Sequence, residues 1–185
     1  MGQQFECLNK QHKEFIANQR IFFVGTAAGS GRVNISPKGM DSFRVLADNR
    51  IIWLNVTGSG NETAAHIEQC PRMTIMFCAF EGAPLILRLY GTAVAVHQQD
   101  EQWQELYDHF EPLPGARQVF DMQVDMVQSS CGMAVPFFDF SEDREQLKNW
   151  ADKQGKDGIE KYWEKKNQNS IDGLPTHIVE KNLGK

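Results

Sequence analysis

No apolar run in this chain approaches the roughly 20 residues that a membrane-spanning helix needs, and the N-terminal MGQQFECLNKQHKEF lacks the apolar stretch of a secretory leader. A cytoplasmic protein without membrane contact is the resulting expectation. The Met-Gly start does not supply the Ser or Thr that N-myristoylation requires. Basic residues are not in excess: 19 Lys and Arg against 24 Asp and Glu leave a net charge of −5, so no basic footprint for nucleic acid is present. Cys7, Cys70, Cys78 and Cys131 form no CxxC pair. Without that spacing no metal site is expected, and the four thiols are read as free. The glycine fingerprint of a dinucleotide-binding fold is missing, as are internal repeats and low-complexity segments.

What is present is an ordinary globular composition, 41% hydrophobic and 23% charged over 185 residues, enough for one domain with an appendage. Residues 8–18 read as an amphipathic helix with Leu8, His12, Phe15 and Ile16 on one face. Ile21 to Val24 begins a hairpin that turns at Gly29-Ser30-Gly31, and Pro37-Lys38-Gly39 breaks its second strand. Phe43 to Leu46 and Ile51 to Val56 form a second pair. Asn61 is a plausible N-cap for a helix over Glu62 to Glu68. Met73 to Phe80 reads as a buried strand, and Leu85 to Val96 as a long one around Arg88 and Gly91. Residues 99–110 read as a helix, Ala116 to Phe120 as a turn, and Met122 to Val135 as a last strand interrupted at Ser129-Ser130-Cys131-Gly132. From Ser141 the chain becomes highly charged and reads as helix, break at Gly155 to Gly158, helix. Residues 1–140 are thus expected to form a barrel domain and 141–185 a helical appendage packing on it or on a dimer partner. Many short strands with a few peripheral helices predict a mainly β (α+β) fold, an antiparallel barrel that is closed or partly open.

The chemistry concentrates in NISPKG, residues 34–39, and WLNVTGSGNETAAHI, residues 53–67. Polar side chains on strand ends precede a glycine-rich turn that enters a helix, and amides at a helix N-terminus favour anions. Ser59, Asn61 and Thr63 can add donors, and Lys38 a full positive charge. Each feature has a plainer alternative. Lys38 also fits a solvated turn, the glycine loop a simple strand–helix connection, and Arg88 an ion pair at the edge of the core. His66 reads as solvent-facing or capping. Cys131 reads as a buried or interface thiol in preference to a nucleophile, since no nearby base is implied. Trp103, Tyr107 and Phe110 read as packing, while Trp150, Tyr162 and Trp163 suit packing over the barrel or a ligand equally.

The segments NISPKG, IIWLNVTGSGNETAAHIEQCPRMTIMF and LILRLYGTA resemble the FMN-binding split barrel of the pyridoxamine 5′-phosphate oxidase family over about residues 15–100. SPKGMD, VTGSGNETAAHI, SSCG and SIDGLPT point to one branch of it. The resemblance implies a homodimer of split barrels with FMN at the interface. It puts Asn34, Ser36 and Lys38 along the isoalloxazine ring, and Asn55, Thr57, Ser59, Asn61 and Thr63 toward the ribityl chain and phosphate. Arg88 falls on a strand arginine of the pattern. One departure stands out: true oxidases carry an Arg-Lys pair in the phosphate loop, and this chain has Glu62-Thr63. Phosphate affinity must then come from Lys38 and helix amides, with Arg32 and Arg88 as further candidates, and vitamin B6 oxidation is not expected.

The leading expectation is therefore an FMN-dependent oxidoreductase that draws electrons from a small substrate or NAD(P)H. The flavin carries the redox chemistry, so no side chain is named as catalytic. The competing reading, from a different class, is a flavin or haem carrier or sensor without turnover. A deazaflavin reductase is a third, disfavoured by the scarcity of cations near the loop.

Overall fold

The structure, a computed structural model, describes residues 2–185. Its strands are β1 (Gln3–Phe5), β2 (Phe22–Thr26), β3 (Asn34–Lys38), β4 (Phe43–Ala47), β5 (Arg50–Val56), β6 (Arg72–Cys78), β7 (Ile86–His97) and β8 (Ala116–Ser130). Helices α1 (Lys10–Ala17), α2 (Glu62–Gln69), α3 (Trp103–Tyr107), α4 (Gln146–Lys166) and α5 (Ile178–Leu183) surround them. All strand pairs are antiparallel, in the order β3-β2-β6-β7-β8-β5-β4, with β1 added on β8. This is a mainly β split barrel with peripheral helices.

Strand β5 shows why a continuous apolar run was needed. Ile51 and Trp53 join one core with Phe22, Phe77 and Phe120, while Ile52 and Leu54 join a second with Leu106 and Phe110. A strand buried on both faces has no polar alternation. The Trp53 and Phe120 rings stack at 4.7 Å inside the barrel. The long β7–β8 pair carries a register shift at Tyr90/Gly91. A Cβ at Gly91 would collide with the carbonyl oxygen of Gln123, so only glycine lets these backbones approach so closely.

Several boundaries differ from the sequence expectation. Pro37 and Lys38 continue β3 instead of ending it, because β3 is an edge strand and a missing amide there costs no ladder bond. The helix expected over 99–110 shrinks to α3, since the Asp100 carboxylate takes the His97 amide and forms a turn first. The last strand begins at Ala116, not Met122, and ends at Ser130. Polar Arg117 and Gln118 disguise its start as a turn, although both are buried.

The C-terminal helices build their own small core from Ala151, Ile159, Trp163 and Ile178. Gly155, at φ 63°, breaks the helical path inside α4. This segment is tied to the barrel by the Trp163 indole donating to Thr57 Oγ1 at 2.8 Å, and by Asn182 donating to the Arg117 carbonyl at 2.9 Å. No described helix is long and apolar enough to cross a membrane.

Candidate functional site

Period-two alternation along β3 sends Asn34, Ser36 and Lys38 to one side and Ile35 to the other. On the polar side lies a cavity of about 340 Å³, lined by those three residues, by Asn55 and Arg117 from the central strands, and by Gly58 to Thr63 at the entry to α2. Its size falls in the ~300–1,000 Å³ range of small-molecule sites. Seven of the nine residues singled out from the sequence meet here: Asn34, Ser36, Lys38, Asn55, Ser59, Asn61 and Thr63.

The other two lie elsewhere. Thr57 is buried behind the loop, where its hydroxyl donates to the Gly115 carbonyl at 2.7 Å and accepts from Trp163. Arg88 donates to Ser130 Oγ at 3.1 Å. Its cross-strand partner Met76 lines the opposite, apolar side of the sheet. Arg32 does not line the cavity and pairs with Asp172.

The cation that sequence reading missed is Arg117. It is 3% exposed. One guanidinium nitrogen donates to the Gly60 carbonyl at 3.0 Å and to Asn167 Oδ1 at 2.8 Å, while Nε has no partner. Burial pushes its pKa down to about 9. Lys38 sits with Nζ 5.2 Å from the centre of the Trp53 ring. Burial, and next the nearby Arg117 charge, push Lys38 down to about 8. Among the described residues neither cation has a carboxylate within ion-pair distance. The one acid lining the cavity, Glu62, turns its carboxylate to the Ile171 amide at 3.1 Å.

Neutral donors complete the cradle. Asn55 donates to Gln118 Oε1 at 2.8 Å, and Asn34 to Thr63 Oγ1 at 3.4 Å. Ser36 Oγ and Asn61 Nδ2, donors on the cavity lining, are buried without partners among the described residues, as is the Asn61 amide oxygen. Asn61 stands at the N-cap of α2 yet makes no capping bond, so the positive end of that helix is left to another acceptor. Buried polar groups normally find partners. Two unpaired cations with several orphaned donors therefore form an arrangement suited to a dianion such as a phosphate monoester.

The remaining expectations divide. His66 is 1% exposed, not solvent-facing: its face of α2 lies on the sheet, where Nδ1 meets Thr26 Oγ1 at 3.1 Å. Cys131 is exposed in the single chain, which removes the buried reading and leaves the interface one, because β8 ends one residue before it. Trp163 packs behind the loop against Thr57, and Trp150 packs edge-on against Tyr162. No group of three or more His, Cys, Asp or Glu among the described residues has the proximity of a metal site.

Comparison with known proteins agrees with this architecture. The Pyridoxamine 5′-phosphate oxidase family profile matches residues 8–131. The pyridoxamine 5′-phosphate oxidase family protein ustO of Aspergillus flavus is 33% identical over 189 residues, covering 92% of this chain and 76% of that protein. Among solved structures, a point variant of HupZ from Group A Streptococcus superposes with a TM-score of 0.54 at 23% identity, over 66% of this chain and 99% of that one. A Lactobacillus delbrueckii protein carrying the oxidase family's name gives 0.54 at 18% identity, over 66% and 94%. These two likenesses show the fold, while the profile and the fungal relative show descent: the chain belongs to the pyridoxamine 5′-phosphate oxidase family.

Proposed function

We propose that this protein binds FMN in the cavity between β3, β5, β8 and the start of α2, and works as a flavin-dependent oxidoreductase. The observation that carries the reading is the pair Lys38 and Arg117, two largely buried cations without a carboxylate partner. An uncompensated buried charge is costly, and a phosphate dianion offsets that cost. Gly58 to Asn61 leave room for close approach of the backbone. When bound, the flavin supplies the electron transfer. The chain's own part is to hold the phosphate, keep Ser36 and Asn61 available for the remaining polar atoms, and present Lys38 above Trp53.

The reading includes a homodimer. Ile35 on the reverse side of β3 and Val33 just before the strand are exposed and border an apolar concavity of about 540 Å³ with Phe23, Met76 and Tyr90. An edge strand with large exposed apolar side chains invites pairing, and a two-fold contact there would lie across β3 from the anion cradle.

Turnover of pyridoxamine 5′-phosphate is not part of the proposal, because Glu62-Thr63 stands where the oxidases carry their Arg-Lys pair. The deciding experiment is titration of the purified protein with FMN, FAD, riboflavin and hemin, followed by anaerobic addition of NADH or NADPH to the flavin complex. Tightest binding of FMN and bleaching of its visible bands are expected. Preference for hemin would replace the flavin reading, and FMN binding without bleaching by any donor would reduce it to a carrier.

A further inference from the structure

We infer that Asn167, in the C-terminal appendage, is a positioning residue of the anion cradle, holding Arg117 and the glycine loop through a neutral side chain that leaves the guanidinium charge free for a phosphate. This rests on the reading of the cavity as a phosphate site. Asn167 is fully buried just after α4. Its Oδ1 accepts from Arg117 at 2.8 Å, and its Nδ2 donates to the Gly58 carbonyl at 3.0 Å. Its own backbone is fixed from both sides: the amide donates to the Trp163 carbonyl, and the carbonyl accepts from Thr176 Oγ1 at 2.6 Å. Thr176 is itself fully buried.

Two consequences follow from elementary chemistry. First, Asn167 and Arg117 hold the carbonyls of Gly58 and Gly60. In a trans peptide the next residue's N–H points opposite to the carbonyl, so the amides of Ser59 and Asn61 are turned away from those two side chains. Neither amide has an acceptor among the described residues. Secondly, a buried arginine ordinarily faces a carboxylate. An aspartate at 167 would satisfy Arg117 electrostatically and cancel the attraction that an incoming anion uses. An asparagine gives the same acceptor geometry without the charge. Residues 141–185 thus contribute to the site from behind, although none of them lines the cavity.

The test compares full-length wild type, Asn167→Asp and Asn167→Ala, measuring dissociation constants for FMN and for riboflavin, with thermal melting in the presence and absence of inorganic phosphate. Asn167→Asp is expected to weaken FMN about 10- to 100-fold, the scale of a charge-assisted hydrogen bond, and to change riboflavin less than about 3-fold, since that ligand lacks the phosphate. Phosphate should raise the melting temperature of wild type and no longer raise that of the variant. Asn167→Ala should lower the FMN-to-riboflavin preference in the same direction, and it carries the comparison alone should the aspartate variant not fold. A purely structural residue would lower the apo melting temperature and weaken both flavins alike. That result, or an unchanged preference in the variants, overturns the inference. Wild type that fails to distinguish FMN from riboflavin would instead overturn the phosphate reading beneath it.

Discussion

Lys38 on the edge strand β3 and Arg117 on the central strand β8 face one cavity, and burial, joined by the guanidinium charge, lowers the lysine's proton affinity. Like charges that converge without a counter-ion are unfavourable in the free protein, and the proposed phosphate would offset that cost. The lysine is the more exposed of the two, so it is the place to begin a test. Lys38→Ala should weaken FMN by about 1–3 kcal/mol, the usual worth of a charge-assisted contact. Riboflavin should respond far less. Isothermal titration with both ligands separates the outcomes, and equal losses would move Lys38 from the phosphate to the ring.

The pH dependence has a definite sign. Free Lys38 loses its proton near 8 when folded and near its ordinary 10.5 when unfolded. Between those values the unfolded chain holds more protons, so apo-protein stability gains from Lys38 as pH rises through that window. FMN affinity runs the other way: the ligand needs the charged amine, so affinity should be full below about 8 and fall above it. Comparing wild type with Lys38→Met in melting and FMN titrations from pH 7 to 9.5 isolates the term. A flat FMN profile in wild type would remove Lys38 from the phosphate's partners.

Thr57 should behave as a structural residue despite its place in the loop sequence. Thr57→Val deletes the acceptor of the buried Trp163 indole and the bond to the Gly115 carbonyl. An orphaned buried donor costs about 1–3 kcal/mol. Urea denaturation should show a loss of that size, with the ratio of FMN to riboflavin affinity unchanged. A selective loss of FMN would place the hydroxyl in the ligand's path.

Ile35 offers a test of the dimer that spares the cradle, because alternation points it away from Lys38. It is 70% exposed in the single chain. Ile35→Glu should shift sedimentation from dimer to monomer at micromolar concentration, leaving the monomer folded by circular dichroism. If each flavin touches both chains, FMN should also bind more weakly to the variant and, in wild type, oppose dissociation on dilution. A variant that stays dimeric would exclude the β3 surface as the interface.

Short-range order was legible in the chain itself. The glycines at 58 and 60 marked a loop and Asn61 a helix start, because turn chemistry acts over a few residues, whereas Pro37-Lys38-Gly39 read as a strand break although Lys38 continues β3 on the same side as Asn34 and Ser36. Even there, burial overrode local cues: His66 looked polar enough for solvent, yet its helix face met the sheet and Thr26. Arg117 escaped notice for a related reason. An Arg-Gln pair at the head of an apolar strand reads as a turn until β5 and β7 are known to flank it and bury both side chains. Arg88 looked equivalent in sequence, but its strand parity puts it across the sheet from the cradle. Asn167 lies 50 residues from Arg117 and 109 from Gly58, and no local pattern links them. Sequence periodicity set which side each side chain takes from its own strand or helix. The order of strands and the docking of the C-terminal helices decided which of those sides meet, since a site assembled across the sheet depends on distances through space that the chain's own spacing does not encode.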